Sequence, residues 1–192
     1  MVGISGINFY SYDELVVPTM IDGKRVIAIS SDAFKDCGSY IKYLEIQPGL
    51  DYIAPGALSS FAIIEELVTP FIGASKEWNW RYPSGANYVL GAMFYTTDHT
   101  NTDQYYCYYH GYSDSKPKRN NLTETSTNSN MYELISFYIQ NTLKTVRVND
   151  NLDIYCGAFS NCSNLENIIL RSGTSSYGYS FYNCPATITY QD

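Results

Sequence analysis

The chain has 192 residues, 45% of them hydrophobic, which is about the size of one domain and enough apolar material for a packed core rather than a disordered tail. Its 12 basic and 19 acidic side chains leave a formal charge of -7, so the positive field that gathers phosphate backbones is absent and nucleic acid is not an expected partner. Stretches such as Phe61-Ala62-Ile63-Ile64 fall far short of the roughly eighteen apolar residues that a membrane helix needs, so no membrane span is expected.

From Met1 to Tyr12 there is no basic region followed by an apolar one, so no signal peptide is expected in this chain. The first organised signal is a repeat. Ile29-Ser-Ser-Asp-Ala33-Phe34-Lys-Asp-Cys37 runs into Ile41-Lys-Tyr-Leu44-Glu-Ile46, then Leu50-Asp-Tyr-Ile53-Ala-Pro-Gly-Ala57-Leu58. Ile29 and Ile53, like Ala33 and Ala57, are 24 residues apart. The second copy continues through Phe61, Ile64, Leu67, Thr69 and Pro70, with Phe61 standing where the first has Cys37.

The pattern stops there and resumes at Leu143-Lys-Thr-Val146-Arg-Val148, passes through Ile154-Tyr-Cys-Gly-Ala158-Phe159-Ser-Asn-Cys162, and goes on to Leu165-Glu-Asn-Ile168-Ile-Leu170. A worn last copy is Tyr177-Gly-Tyr-Ser180-Phe181-Tyr-Asn-Cys184, followed by Ile188 and Tyr190. Phe159 to Phe181 and Cys162 to Cys184 are steps of 22. Units with apolar groups on one side cannot form a core alone, so neighbours must stack.

Leu44-x-Ile46 and Val146-x-Val148 alternate with period two, which predicts short strands that pair in parallel between coils. The Ala-Phe segments lack that alternation and are flanked by Asp, Ser, Asn and Gly, which favours a helical or 3₁₀ turn that plugs its Phe into the coil. Cys37, Cys162 and Cys184 recur at the inward position and read as buried thiols. Five cysteines with no CxxC spacing indicate neither a disulfide framework nor a zinc site.

Ile-x-x-x-Ala-Phe-x-x-Cys-x-x-x-Ile-x-x-Leu-x-Ile at Ile29 to Ile46 resembles the BspA-like, or treponemal-type, leucine-rich repeat, and the other copies carry the same likeness. Pro18-Thr-Met-Ile-Asp-Gly-Lys-Arg-Val26 is similar to the stretch that opens such arrays. The chain departs from the pattern at Leu58, at Phe61, and in the long interruption. The resemblance implies a cell-surface or secreted protein that binds host proteins or other cells, without naming a ligand.

The interruption opens with Lys76-Glu-Trp78-Asn-Trp80-Arg-Tyr82, whose three alternating rings would share one face of a strand and could stack on sugar rings. Burial against the flank of the solenoid is the competing reading. Tyr105-Tyr-Cys107-Tyr-Tyr109-His110 alternates as a strand does, and Cys107 with His110 gives too few ligands for zinc. Asp98, Asn101 and Asp103, like Asn149, Asn151 and Asp153, lack the glycine and distal glutamate of a calcium loop and read as turn residues. Asp114 to Asn130 reads as an exposed loop.

The expectation is therefore one leucine-rich-repeat domain spanning residues 1–192, an α/β-type solenoid of small parallel strands and short helical or 3₁₀ turns. Its coils cover about 15–72 and 139–190, and an insertion of about 73–138 carries β-strands. Its expected work is non-catalytic binding of a protein or glycan, with Trp78, Trp80, Tyr82 and Tyr109 as ligand-binding candidates and with no metal or cofactor. A structural spacer within a larger surface protein is the alternative. A hydrolase would need a nucleophile beside a base, and His99 and His110, both in the insertion, leave few arrangements.

Overall fold

The computed structural model describes residues 2–4, 13–36, 38–76, 89–94, 102–108, 134–150, 153–155, 157–176 and 180–192. In chain order the elements are β1 (Val2–Ile4), β2 (Glu14–Val17), β3 (Met20–Ile21), β4 (Lys24–Ile29), β5 (Tyr43–Ile46), β6 (Tyr52–Ile53) and β7 (Glu66–Thr69). After these come α1 (Leu90–Phe94), β8 (Thr102–Tyr108), β9 (Leu134–Gln140), β10 (Thr145–Val148), β11 (Asn167–Arg171) and β12 (Thr187–Gln191). β3 and β4 form a hairpin whose turn, Asp22-Gly23, has φ of 49° and 72°; positive φ at both central residues is what a tight twisted hairpin needs, and Asp-Gly supplies it.

Six strands make the main sheet, in the order β12-β11-β10-β7-β5-β2, and every neighbouring pair is parallel. The register stacks like on like: Leu15 on Leu44, Leu44 on Leu67, Leu67 on Val146, Val146 on Ile168, and Ile168 on Ile188. From Leu15 to Ile168 these side chains are buried. β7 and β10 are direct neighbours, so the sheet closes over the long interruption. A second ladder runs through β1, β4 and β6, with Ile29 beside Ile53.

The Ala-Phe segments are hydrogen-bonded turns rather than regular helices. Ala33 N–H donates to Ser30 O and Lys35 N–H to Asp32 O, the three-residue spacing that tightens a 3₁₀ turn. Phe34 and Phe159 are buried as expected. The exchanged positions of the second coil resolve simply: Leu58 and Phe61 are both buried, and the Phe61 ring packs at 5.0 Å from that of Phe34. Ala33, Ala57 and Ala158 are buried too, as is Ser180, whose hydroxyl donates to the Tyr155 carbonyl at 2.9 Å.

Within the span read as an insertion, the residues are not all extraneous to the coils. The Ala74 carbonyl accepts from Ile53 N–H, and Val89 and all of α1 lie buried in the common core. α1 takes the place of a coil turn. Its Ala92 and Met93 carbonyls accept from Gly56 and Leu58 N–H, while Leu90 N–H donates to the Ala158 carbonyl. Ile139 and Leu143 bring the chain back into the core ahead of β10. β8 and β9 form a separate antiparallel pair, which sets Tyr105 opposite Phe137 and Cys107 opposite Ile135 and whose β9 end reaches the core at Ile139.

At the far end, Phe181, Cys184 and Ile188 are only partly buried, against full burial of Phe159, Cys162 and Ile168 one coil earlier. The expectation of a shielded inward thiol therefore holds for Cys162 and not for Cys184, because no further coil lies on its outer side in the sheet order. Cys37 lies outside the described residues.

Candidate functional site

The alternation that buries one face of each sheet strand frees the other face. One row on that other face, fixed by register, is Val16, Glu45, Val68, Arg147, Ile169 and Thr189, of which Val68 is itself covered, at 5% exposure. The row beside it is Glu14, Tyr43, Glu66, Thr145, Asn167 and Thr187. Val16 is 47% exposed, and the acids cluster on the β2, β5 and β7 side, while Arg147 on β10 is the cation of these two rows. The Arg147 guanidinium donates to Gln191 Oε1 at 2.6 Å and Asn167 donates to Thr145 Oγ1 at 3.4 Å, so the β10 to β12 side is a net of neutral and basic hydrogen-bonding groups.

Tyr43 shows the electrostatics of the acidic side. Its hydroxyl donates to Glu45 Oε2 at 3.0 Å. Burial first, then that hydrogen bond, then the charges of Glu45 and Glu66 push its pKa up to about 12, against a smaller opposing pull from Arg147. The phenol thus stays protonated and serves as a donor to the carboxylate.

Just ahead of the strands lies an alternating ladder of charge. Lys42 pairs with Glu65 at 3.2 Å and Lys144 with Glu166 at 3.5 Å, while the backbone runs continuously from Lys42 N–H to Asp13 O, Glu65 N–H to Lys42 O, Lys144 N–H to Glu65 O, and Glu166 N–H to Lys144 O. Opposite charges on adjacent rungs avoid the repulsion that like charges in an in-register stack would meet. Each exposed pair contributes less than about 1 kcal/mol, so the ladder sets register more than stability.

A second polar feature lies on the β4–β6 flank, an open hollow of about 520 Å³ lined by Arg25, Asp51, Tyr52, Ser75 and Lys76. Asp51 sits between two cations, 3.7 Å from Arg25 and hydrogen-bonded by Lys76, and Arg25 also donates to the Gly49 carbonyl at 2.7 Å. The Tyr52 ring beside them is 44% exposed. These charges are largely satisfied by one another.

Of the residues singled out from sequence, Trp78, Trp80, Tyr82, Tyr109, His99 and His110 lie outside the described residues. The expected strand around Cys107 is β8, which ends at Tyr108. Asn149 bonds to other coils rather than within a local turn: its N–H donates to Thr69 O and its side-chain amide to Ile46 O at 3.5 Å. Among the described residues there is no group of three or more His, Cys, Asp or Glu placed to hold a metal ion, and no helix is long and apolar enough to cross a membrane. The sequence reading missed both outward rows and the polar hollow. The rows were signalled by the intervening positions of Leu44-x-Ile46 and Val146-x-Val148, while nothing in the sequence joins Arg25 to Lys76.

Comparison with known proteins adds a family. The model of the BspA type leucine rich repeat region matches in six copies, over residues 3–72 and 117–191. No curated protein and no solved structure matches this chain.

Proposed function

Since the chain belongs to the BspA type leucine rich repeat family, we propose that it is a non-catalytic binding module, displayed at a cell surface or secreted, that recognises a host protein or glycan. Leucine-rich repeat modules generally mediate protein interactions, and this family is commonly surface- and adhesion-associated. The observation that carries the reading is the division of labour along each sheet strand. Inward residues are spent on stacking, whereas Val16, Tyr43, Ile169 and their polar neighbours lie on the other face of the sheet. A stack of this kind is a scaffold whose specificity resides in what it displays.

We place the strongest determinants in residues 73–138, at Trp78, Trp80, Tyr82 and Tyr109, because rings there are not required by the repeat. The domain is treated as one unit, residues 1–192. The test is a glycan and host-matrix protein array with the purified chain, followed by replacement of these four residues with Ala. Binding weaker by more than about 2 kcal/mol in sum with the thermal midpoint unchanged supports the placement. Unchanged affinity in a folded quadruple variant moves the site to the coils, where Val16→Asp and Ile169→Asp are the next changes to make. Absence of any ligand across the array favours the alternative, a spacer within a larger surface protein, which fits the part-exposed last coil onto which a further repeat could stack.

A further inference from the structure

We propose that Cys184, with Cys162 behind it, is a thiol-modification site that exchanges with low-molecular-weight disulfides and closes to a Cys162–Cys184 bond, pinning the last coil to the stack. The two residues occupy the same position of successive coils. Cys162 N–H donates to Phe159 O and Cys184 N–H to Phe181 O, the Phe159 and Phe181 rings stack at 5.6 Å and 11°, and Ile168 pairs with Ile188 in the following strands. The preceding residues, Asn161 and Asn183, share the left-handed backbone at φ 57° and 52°, and the Asn183 amide donates to Asn161 Oδ1 at 2.9 Å.

In-register rungs lie roughly 4.7–4.9 Å apart. That falls within the Cα separation of roughly 4.4–6.8 Å that disulfides span. The Cys184 thiol already reaches its neighbour, donating to the Cys162 carbonyl at 3.6 Å. Exposure separates their roles: Cys162 is fully buried and Cys184 is only partly buried on the last coil. The Cys162 side chain lowers the Cys184 pKa to about 7, opposed by burial and helped by a backbone hydrogen bond at Ala186, so loss of the thiol proton, which frees Cys184 from the Cys162 carbonyl, becomes easy near neutrality. An accessible thiolate backed by a second thiol is the arrangement of an attacking and a resolving cysteine.

The chemistry balances with an external disulfide RSSR as oxidant. The Cys184 thiolate bonds to one sulfur, the S–S bond breaks, and its electron pair leaves with RS⁻, which takes a proton from solvent. Cys162 then loses its proton to solvent and attacks the Cys184 sulfur, expelling the second RS⁻, which is protonated in turn. Two protein thiols are oxidised by two electrons and RSSR becomes two RSH.

The test uses oxidised glutathione on the native full-length chain, with intact mass and peptide mapping to keep Cys37, Cys107 and Cys156 apart. The wild type should lose two hydrogens and yield a linked 162–184 peptide. C162A should stop at one glutathione on Cys184, and C184A should leave Cys162 unreacted, at least about a hundredfold slower than the wild type reacts at Cys184. Pulse alkylation of the untreated wild type, which needs no variant, should label Cys184 ahead of Cys162. Labelling of Cys162 first, or a wild type that retains glutathione on Cys184 with Cys162 reduced, overturns the proposal.

Discussion

The turn that contains Phe159 and the turn that contains Phe181 are built alike. Each closes a Cys N–H onto a Phe carbonyl, each sets an Asn at positive φ, and their rings lie face to face. Phe159 and Cys162 are nevertheless fully buried, while Phe181 and Cys184 are not, because the first pair has a coil on both sides and the second on one. The same residue type is therefore worth different amounts according to its rung. In a stack of repeats, stability is a sum of unit terms and nearest-neighbour terms, and the last coil forgoes one of the latter.

The largest expected effect is on the rings. Phe159→Ala should cost about 3–5 kcal/mol in chemical denaturation, while Phe181→Ala should cost less, since Phe181 is only partly buried and has a coil on one side. Equal losses would erase the distinction between the rungs.

Inner interfaces should resist added atoms as well as removed ones. A Cβ on Gly38 would lie 1.9 Å from the Ser60 carbonyl oxygen, a backbone atom of the next coil that a rotamer change cannot move aside. Gly38→Ala should therefore cost about 1–3 kcal/mol, whereas Ala186→Val, on the part-buried last coil, should stay within about 0.5 kcal/mol. The thermal midpoints of the two variants compare them directly.

A gradient of local opening follows from the same contrast. Native-state hydrogen exchange should show amides of Thr187–Gln191 opening at lower free energy than those of Asn167–Arg171, although both lie in the one sheet. Uniform protection along the stack would count against a weak end.

The smallest effects are those of pH, and they have opposite sign in the two regions. Tyr43, on an inner strand, holds its proton more tightly folded than unfolded, so its contribution is complete below about pH 10 and is lost as pH climbs toward about 12. Cys184 releases its proton more readily when folded, so its contribution is present above its ordinary value of 9.0 and is lost as pH falls through about 7. Thermal midpoints recorded against pH should lose the upper dependence in Tyr43→Phe and the lower in Cys184→Ser.

The coils were legible in the sequence because stacking puts like on like: Ala33 and Ala57 lie 24 residues apart before the interruption, and Phe159 and Phe181 lie 22 apart after it. Leu58 and Phe61 blurred the phase, since the buried ring that meets Phe34 is displaced along the chain to Phe61. α1 was not legible. Leu90-Gly-Ala-Met-Phe94 is too short to show a period, and its backbone hydrogen-bond partners, at Gly56, Leu58 and Ala158, are remote in sequence. The outward rows were hidden for a different reason. Residues that face solvent need not repeat, so Val16, Glu45, Arg147 and Ile169 share a row with little in common but register.

The claim on which the rest stands is that the coils before and after residues 73–138 form one stack through the pairing of β7 with β10 and the burial of α1. Native-state hydrogen exchange at increasing denaturant measures this directly. Amides of Glu66–Thr69, Leu90–Phe94 and Thr145–Val148 are expected to open together, with one free energy and one denaturant dependence. Separate openings, with residues 13–76 and 143–171 unfolding as independent units, would contradict it.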